Sequence, residues 1–116
     1  MKNLIVMNMR EYEAIGAMFI KIHNLLLELS YDPATERAKK HKDEAYNNFV
    51  FKYKRHDDVI VFNKDVYDDI ITSLLNIRSP YMVHDRGEDD LVNDLFKLVK
   101  CTYDAMTLYA PASQYD

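Results

Sequence analysis

The amino-acid sequence predicts a helix-dominated α+β fold with about three core helices, one surface helix and one antiparallel β-hairpin. Glycine and proline are rare, with two and three residues in a chain of 116, and this favours helices over a loop-rich β structure. Long stretches repeat apolar residues at three- and four-residue spacing, which is typical of amphipathic helices. One short stretch places aromatic residues at every second position, which is the period of a strand.

The first predicted helix covers residues 9–29, where apolar side chains recur at helical spacing. The apolar run at residues 4–7 before it fits either an edge strand or a lead-in to this helix. Gly16 lowers helix stability by roughly 1 kcal/mol relative to Ala. This glycine marks either a close crossing by another element or a tolerated defect. The helix ends before Pro33, which disfavours helical geometry at the preceding residue.

A very polar segment, residues 34–46, follows. Asp32 or Thr35 provides its N-cap. Because only its alanines and Tyr46 are suited to a core, we expect this segment to be a surface helix or a frayed one.

The strand signal lies at residues 48–62, which we predict to be an antiparallel hairpin. Phe49, Phe51 and Tyr53 occupy alternate positions, and a β-branched run at residues 59–62 supplies the second strand. The intervening polar residues contain no glycine, so a loop of about four residues is favoured over a tight two-residue turn.

Two helices complete the prediction. Asn63 is a suitable N-cap for the first of them, which stops at Ser79 and Pro80. Residues 81–87 are a predicted loop, and the last helix covers residues 88–109. The side chains expected on the buried sides are Val66, Tyr67, Ile70, Ile71, Leu74, Leu75 and Ile77, and then Leu91, Leu95, Leu98, Val99 and Met106.

Length and composition describe one domain, residues 1–116, with 48% hydrophobic and 29% charged residues. The single cysteine, Cys101, excludes an internal disulfide and fits a reducing compartment. No apolar run approaches the length of a membrane span. We therefore expect a soluble, cytoplasmic protein.

Positive charge is concentrated between residues 37 and 55, a stretch named here the basic segment. It contains seven of the 15 Lys and Arg residues and only two acidic residues, although the chain has a net charge of −4. Such a cluster can bind phosphate groups, and Tyr46 and Tyr53 are suited to stacking on a base. The alternative is a solvated face that neutralises acidic helices nearby. The candidate binding residues are Arg37, Lys39, Lys40, Lys42, Lys52, Lys54 and Arg55.

The C-terminal half is acidic, with twelve acidic and five basic residues after residue 56. Spaced carboxylates on helices can imitate a phosphate backbone and occupy a basic groove on a partner. The alternative is ordinary solubility together with favourable charges at helix starts. The candidate acidic surface consists of Asp65, Asp68, Asp69, Glu88, Asp89 and Asp90.

The sequence contains no recognisable catalytic motif. The four histidines lack metal-binding spacing, and no regular oxygen-ligand loop is present. Cys101 stands among apolar residues of the last predicted helix, where an inert core thiol is expected. We therefore expect no metal, no cofactor and no enzymatic activity.

Two functions stay open. The first is a non-enzymatic protein-interaction module, an inhibitor or adaptor that covers a functional surface of a larger macromolecule. Charge segregation and nine tyrosines favour it. The second is a binder of a phosphate ligand, nucleic acid or nucleotide, through the basic segment.

We also expect a homodimer, because the basic segment and the acidic C-terminal half are complementary and the last predicted helix has a wide apolar face. That helix would be the buried element of the dimer. The competing account is a monomer in which the last helix is central and covered by its neighbours.

Overall fold

The structure is a computed structural model that describes residues 4–83 and 90–108. Within these residues, helices pack around a small three-stranded antiparallel sheet, so the predicted helix-dominated α+β fold class is confirmed. The strands are β1 (Leu4–Asn8), β2 (Lys54–His56) and β3 (Val59–Asn63). The helices are α1 (Met9–Glu28), α2 (Pro33–Phe51), α3 (Lys64–Asn76), α4 (Ser79–Val83) and α5 (Asp90–Thr107).

The run before the first helix is the edge strand β1, and α1 follows it without a loop. Asn8 caps α1: its side chain accepts a hydrogen bond from the Glu11 amide at 2.8 Å, and the Glu11 side chain accepts from the Asn8 amide at 3.1 Å. This reciprocal capping box satisfies two donors that a helix start otherwise leaves unpaired. The chain therefore changes from strand to helix within one residue.

The polar segment after Pro33 is a complete helix rather than a frayed one, and it lies at the surface with one stripe of side chains buried. Asp32 is the N-cap and accepts the Thr35 amide hydrogen at 2.9 Å. Ala34, Ala38 and Ala45 form a buried stripe along α2. Because alanine has no bulk beyond Cβ, this stripe lets α2 pack closely against α1 and α3.

A hairpin is present, but it begins later than predicted. Phe49 and Phe51 belong to α2, and the strands β2 and β3 flank a two-residue turn at Asp57 and Asp58. The expectation of a four-residue loop was wrong because Asp57 adopts φ of 54°, a conformation that Asp tolerates better than most residues. Arg55 Nε steadies the turn by donating to the Asp57 carbonyl at 3.1 Å.

Asn63 caps α3 as predicted and accepts the Asp65 amide hydrogen at 2.9 Å. The expected loop after Pro80 was wrong at residues 81–83, which form the end of α4, while residues 84–87 lie outside the described residues. Tyr81 is buried there, and its hydroxyl donates to Thr35 Oγ1 at 2.8 Å. Leu75, expected inside, is 47% exposed.

Helix α5 packs against α1 and α3. Val92, Leu95, Val99 and Met106 are buried, whereas Leu91 is 37% exposed. Much of the apolar face that suggested dimerisation through this helix is therefore covered within one chain. The dimer itself stays a prediction.

Aromatic rings join the sheet to the helices. The Phe49 ring of α2 stacks on Tyr12 of α1 with centroids 4.5 Å apart. It also lies 5.6 Å from Phe62 of β3 and 5.2 Å from Phe19. Burial raises the pKa of the Tyr12 phenol well above its ordinary range, with a smaller contribution from Tyr53. Its hydroxyl donates to the Phe49 carbonyl at 3.1 Å.

Candidate interaction surface

The basic segment does not form one continuous surface. Arg37 and Lys40 are exposed on the N-terminal half of α2, whereas Lys52, Lys54 and Arg55 are exposed at its C-terminal end and on β2. Fifteen helical residues at 1.5 Å per residue place Arg37 and Lys52 about 22 Å apart. The segment therefore presents two separate sets of positive charge.

Lys42 is a buried residue, which corrects its assignment as a phosphate-binding candidate. It is 6% exposed, and its Nζ lies 2.8 Å from His23 Nδ1 and also contacts the Asp43 carboxylate. The physical reason is helical spacing, because position 42 lies on the same stripe as Ala38 and Ala45.

Lys39 is half-buried on the neighbouring stripe, with Nζ 5.7 Å from the centre of the Tyr31 ring. At that distance an ammonium group is attracted to the face of the ring. Lys39 and Lys42 thus have nearer partners than an external phosphate.

The two tyrosines considered as stacking platforms pack against core rings instead. Tyr46 meets Phe19 edge-on with centroids 5.7 Å apart. Tyr53 lies 5.2 Å from Tyr12 and 6.2 Å from Phe62. Because these rings are half-buried against the core, they are poorly placed to stack on a nucleic-acid base.

The acidic candidates lie at helix starts. Asp65, Asp68 and Asp69 are exposed on the first turns of α3, and Asp90 is exposed at the first residue of α5. Lys64 Nζ lies 2.7 Å from the Asp68 carboxylate. Asp65 and Asp90 lie in first turns, where a negative charge interacts favourably with the helix dipole, and Asp68 pairs with Lys64, which accounts for these three charges without a partner protein. Glu88 and Asp89 lie outside the described residues.

Metal and thiol chemistry receive no geometric support from the described residues. Across residues 4–83 and 90–108, His, Cys, Asp and Glu side chains do not gather in groups of three or more suited to a metal ion. Cys101 is exposed, so the prediction of a core thiol was wrong. Thr102 takes the inward position instead, and its hydroxyl donates to the Leu98 carbonyl at 2.8 Å.

A shallow groove of about 510 Å³ lies between α1 and α5. Its walls include Lys21 and Glu28 from α1 and Asp94 and Lys97 from α5. Both signs of charge are present on both sides, so the groove selects neither an anion nor a cation.

The sheet supplies a surface that sequence reasoning missed. Ile5 and Met7 of β1 and Ile60 and Phe62 of β3 are buried in the core. Because side chains alternate along a strand, the intervening residues lie on the opposite, outer face. Four of these residues are aliphatic, Leu4, Val6, Val59 and Val61, and the polar Asn8 and Asn63 end the two strands on the same face.

The register makes this outer face continuous. Val6 is opposite Val61, which is opposite Lys54 on β2, and Val59 is opposite His56. The four aliphatic side chains are partly exposed and lie outside the core cluster. Basic residues of β2 therefore border an apolar strip. We call Leu4, Val6, Val59 and Val61 the outer face.

Helices α1 and α3 pack on β1 and β3, and the Phe49 ring of α2 contacts Phe62 of β3; these contacts join the core face of the sheet. An antiparallel sheet with one solvated face ordinarily carries polar residues there. The sequence already indicated an apolar outer face, because residues 4–7 and 59–62 are each apolar at four consecutive positions. Such runs are typical of strands covered on both faces.

Comparisons with known proteins provide no further guide to this surface, since no protein family, no curated protein and no solved structure matches the chain. Within the part of the chain that the structure describes, no helix combines the length and apolar character needed to cross a membrane.

Proposed function

We propose that this protein is a non-enzymatic protein-interaction module that binds its partner through the outer face of the sheet. The observation that carries the proposal is the aliphatic outer face, which the described helices leave open. Aliphatic side chains that are partly exposed together on a strand surface favour burial against another protein.

The charges beside the outer face indicate the chemistry of the partner. On β2, Lys54 and His56 are opposite Val61 and Val59 and share the outer face, whereas Arg55 is opposite the buried Ile60 and lies on the other face. A partner surface with an apolar strip and carboxylates along one border would match both features. A cytoplasmic inhibitor or adaptor that covers the functional surface of a larger protein is the kind of molecule we expect.

Affinity capture from the native cell tests the proposal with three forms of the protein. Val61→Glu places a carboxylate in the middle of the outer face, where Lys54 is directly opposite and helps to retain the fold. Leu27→Glu is the matched control, because Leu27 is 60% exposed on α1, away from the sheet.

We expect wild type and Leu27→Glu to retain the same partner, and Val61→Glu to retain at least about tenfold less, as quantified by mass spectrometry. The partner is then purified and its affinity is measured by calorimetry at two salt concentrations. Binding should weaken as salt rises, because basic groups border the contact. Equal capture by all three forms would exclude the outer face as the binding surface.

Binding of a phosphate ligand is the second candidate, favoured by the exposure of Lys52, Lys54 and Arg55 near one another. Burial of Lys42 and the packing of Tyr46 against the core weaken it. Fluorescence anisotropy with labelled single- and double-stranded oligonucleotides at low and moderate salt tests it. Salt-sensitive micromolar binding that is lost in Lys54→Ala would support this function over the first.

A further inference from the structure

We propose that two copies of this chain pair their β1 strands antiparallel, so that the two sheets become one continuous sheet and the two outer faces become one surface. The pairing itself is independent of the proposed function; only the role of the joined surface rests on it. The argument starts from the backbone groups that β1 directs away from β3.

The register identifies those groups. The Met9 amide donates to the Asp58 carbonyl at 2.8 Å, and this pair continues the register in which Asn8 is opposite Val59. In an antiparallel ladder, hydrogen-bonded pairs alternate with pairs that make no mutual hydrogen bond. Ile5 and Met7 therefore bond to β3, and the amide and carbonyl groups of Leu4 and Val6 point to the free edge.

These edge groups have no backbone partner among the described residues. The Asn8 amide also lies on this side, but the Glu11 side chain already accepts its hydrogen at 3.1 Å. What remains is one N–H and one C=O group on each of Leu4 and Val6, two residues apart along an extended strand.

The two edges of the sheet differ in protection. The β2 edge has three residues, all of them basic or histidine, and short length with positive charge discourages pairing with another strand. The β1 edge has five residues without charge, proline or glycine. A neutral, apolar edge of this length is a template for another strand.

A second copy complements this edge. With a two-fold axis at Ile5, Leu4 of one copy is opposite Val6 of the other, and the two residues exchange both hydrogen bonds. Val6 of the first copy and Leu4 of the second form the equivalent pair. All eight edge groups, four from each copy, are then hydrogen-bonded. On the outer face, Leu4 and Val6 of the two copies lie side by side.

Charge also favours pairing at β1 rather than at β2. With strands about 4.8 Å apart, joining two β1 strands leaves the two β2 strands about 24 Å apart, well beyond the screening length of about 8 Å at physiological salt. Joining two β2 strands would instead place Lys54 and Arg55 of one copy directly against those of the other.

The size of the contact limits its strength. A strand of five residues is about 17 Å long, and an edge of that length buries much less than the roughly 800 Å² per partner of a standard interface. We therefore expect a weak dimer that exchanges rapidly, with a dissociation constant of tens of micromolar or more. A partner that covers both outer faces would stabilise it by mass action.

Sedimentation velocity from about 5 to about 500 µM measures the pairing, a range that spans weak association. We expect the average sedimentation coefficient of the wild type to rise with concentration. Val6→Pro removes an edge N–H group but no bond to β3, and proline is accepted in edge strands. This variant should stay monomeric.

Two controls make the result specific. Val61→Glu changes the outer face but not the edge, so it should dimerise like the wild type even where it loses the partner. Leu91→Glu tests α5 in the same way, because Leu91 is 37% exposed there. A dimer that is lost in Leu91→Glu and kept in Val6→Pro would overturn the proposal and identify α5 as the interface.

Hydrogen exchange of the wild-type protein provides a measurement that does not depend on any variant folding. The Val6 amide should exchange at least about tenfold more slowly at the highest concentration than at the lowest if it is bonded in the dimer. An unchanged exchange rate together with a monomer at every concentration would refute the pairing. That result would leave the proposed function standing, since partner capture by the outer face is measured separately.

Discussion

Replacing Gly16 by alanine should stabilise this protein, and the structure gives the reason. A β-carbon at position 16 would meet Cε2 of Phe49 at 3.8 Å, an ordinary van der Waals distance. Of the two interpretations that the sequence left open for this glycine, the geometry supports the tolerated defect. No close crossing requires the absence of a side chain here.

The expected gain has two parts. Alanine is more favourable than glycine in a helix interior by roughly 1 kcal/mol. The added methyl group is half-buried against the Phe49 ring and contributes about 0.4 kcal/mol, which is half the value of a fully buried carbon. We therefore expect Gly16→Ala to raise the free energy of unfolding by about 1 to 1.5 kcal/mol, or the melting temperature by about 5 °C.

Urea denaturation followed by circular dichroism measures this change directly. Ala17→Gly is the matched control, because Ala17 is exposed on the same helix, and it should lower the free energy of unfolding by roughly 1 kcal/mol. The slope with denaturant should be unchanged in both variants. If Gly16→Ala destabilises the protein while Ala17→Gly behaves as expected, the Phe49 ring cannot accept the methyl group, and the described packing of α1 on α2 is wrong.

Three further outcomes are expected, the first two measured by urea denaturation. Phe49→Ala should lower the free energy of unfolding by about 3 to 5 kcal/mol, because its ring is fully buried among other rings, whereas Phe51→Ala, at a position 76% exposed, should change it by less than about 0.5 kcal/mol. Lys42→Met should change it by no more than about 1 kcal/mol, because methionine keeps the packing of the stem and the exposed His23 can bond to water; a loss above about 3 kcal/mol would show that the buried ammonium group is essential. Burial, with a smaller effect of the nearby Asp68 charge, raises the pKa of Tyr67 to about 12. The stabilisation that the neutral Tyr67 phenol contributes is therefore complete below pH 10 and is lost between pH 10 and 12. The wild type should lose stability faster than Tyr67→Phe over that range in alkaline thermal melts, and parallel curves would contradict the burial of this phenol.

Local sequence determined much of the helical architecture. The apolar spacing in α1, α3 and α5 produced the predicted helices because each has one continuous stripe that must be buried. Asn63 was correctly identified as a cap, since its side chain needs only the two following residues to make its hydrogen bond. These features depend on neighbours in the chain, so they can be read without a tertiary structure.

The boundary between α2 and the hairpin could not be read in this way. Phe49 and Phe51 satisfy a two-residue period, but Phe49 also continues the buried stripe of Ala38 and Ala45 at helical spacing. A short stretch fits both periods, and the decision comes from contacts with α1 and α3. The two-residue turn was missed for a related reason, because the positive φ at Asp57 is sustained partly by the hydrogen bond from Arg55.

For the candidate surfaces too, the local sequence determined some features and only the tertiary structure determined others. The sequence identified which residues are basic, but only the tertiary structure buried Lys42 beside His23 and separated Arg37 from Lys52 by the length of α2. The apolar runs of β1 and β3 were visible in the sequence, yet their pairing joins residues more than fifty positions apart. Because neighbouring residues in the chain do not specify which strands pair, only the tertiary structure could place Val6 beside Val61 and create the outer face.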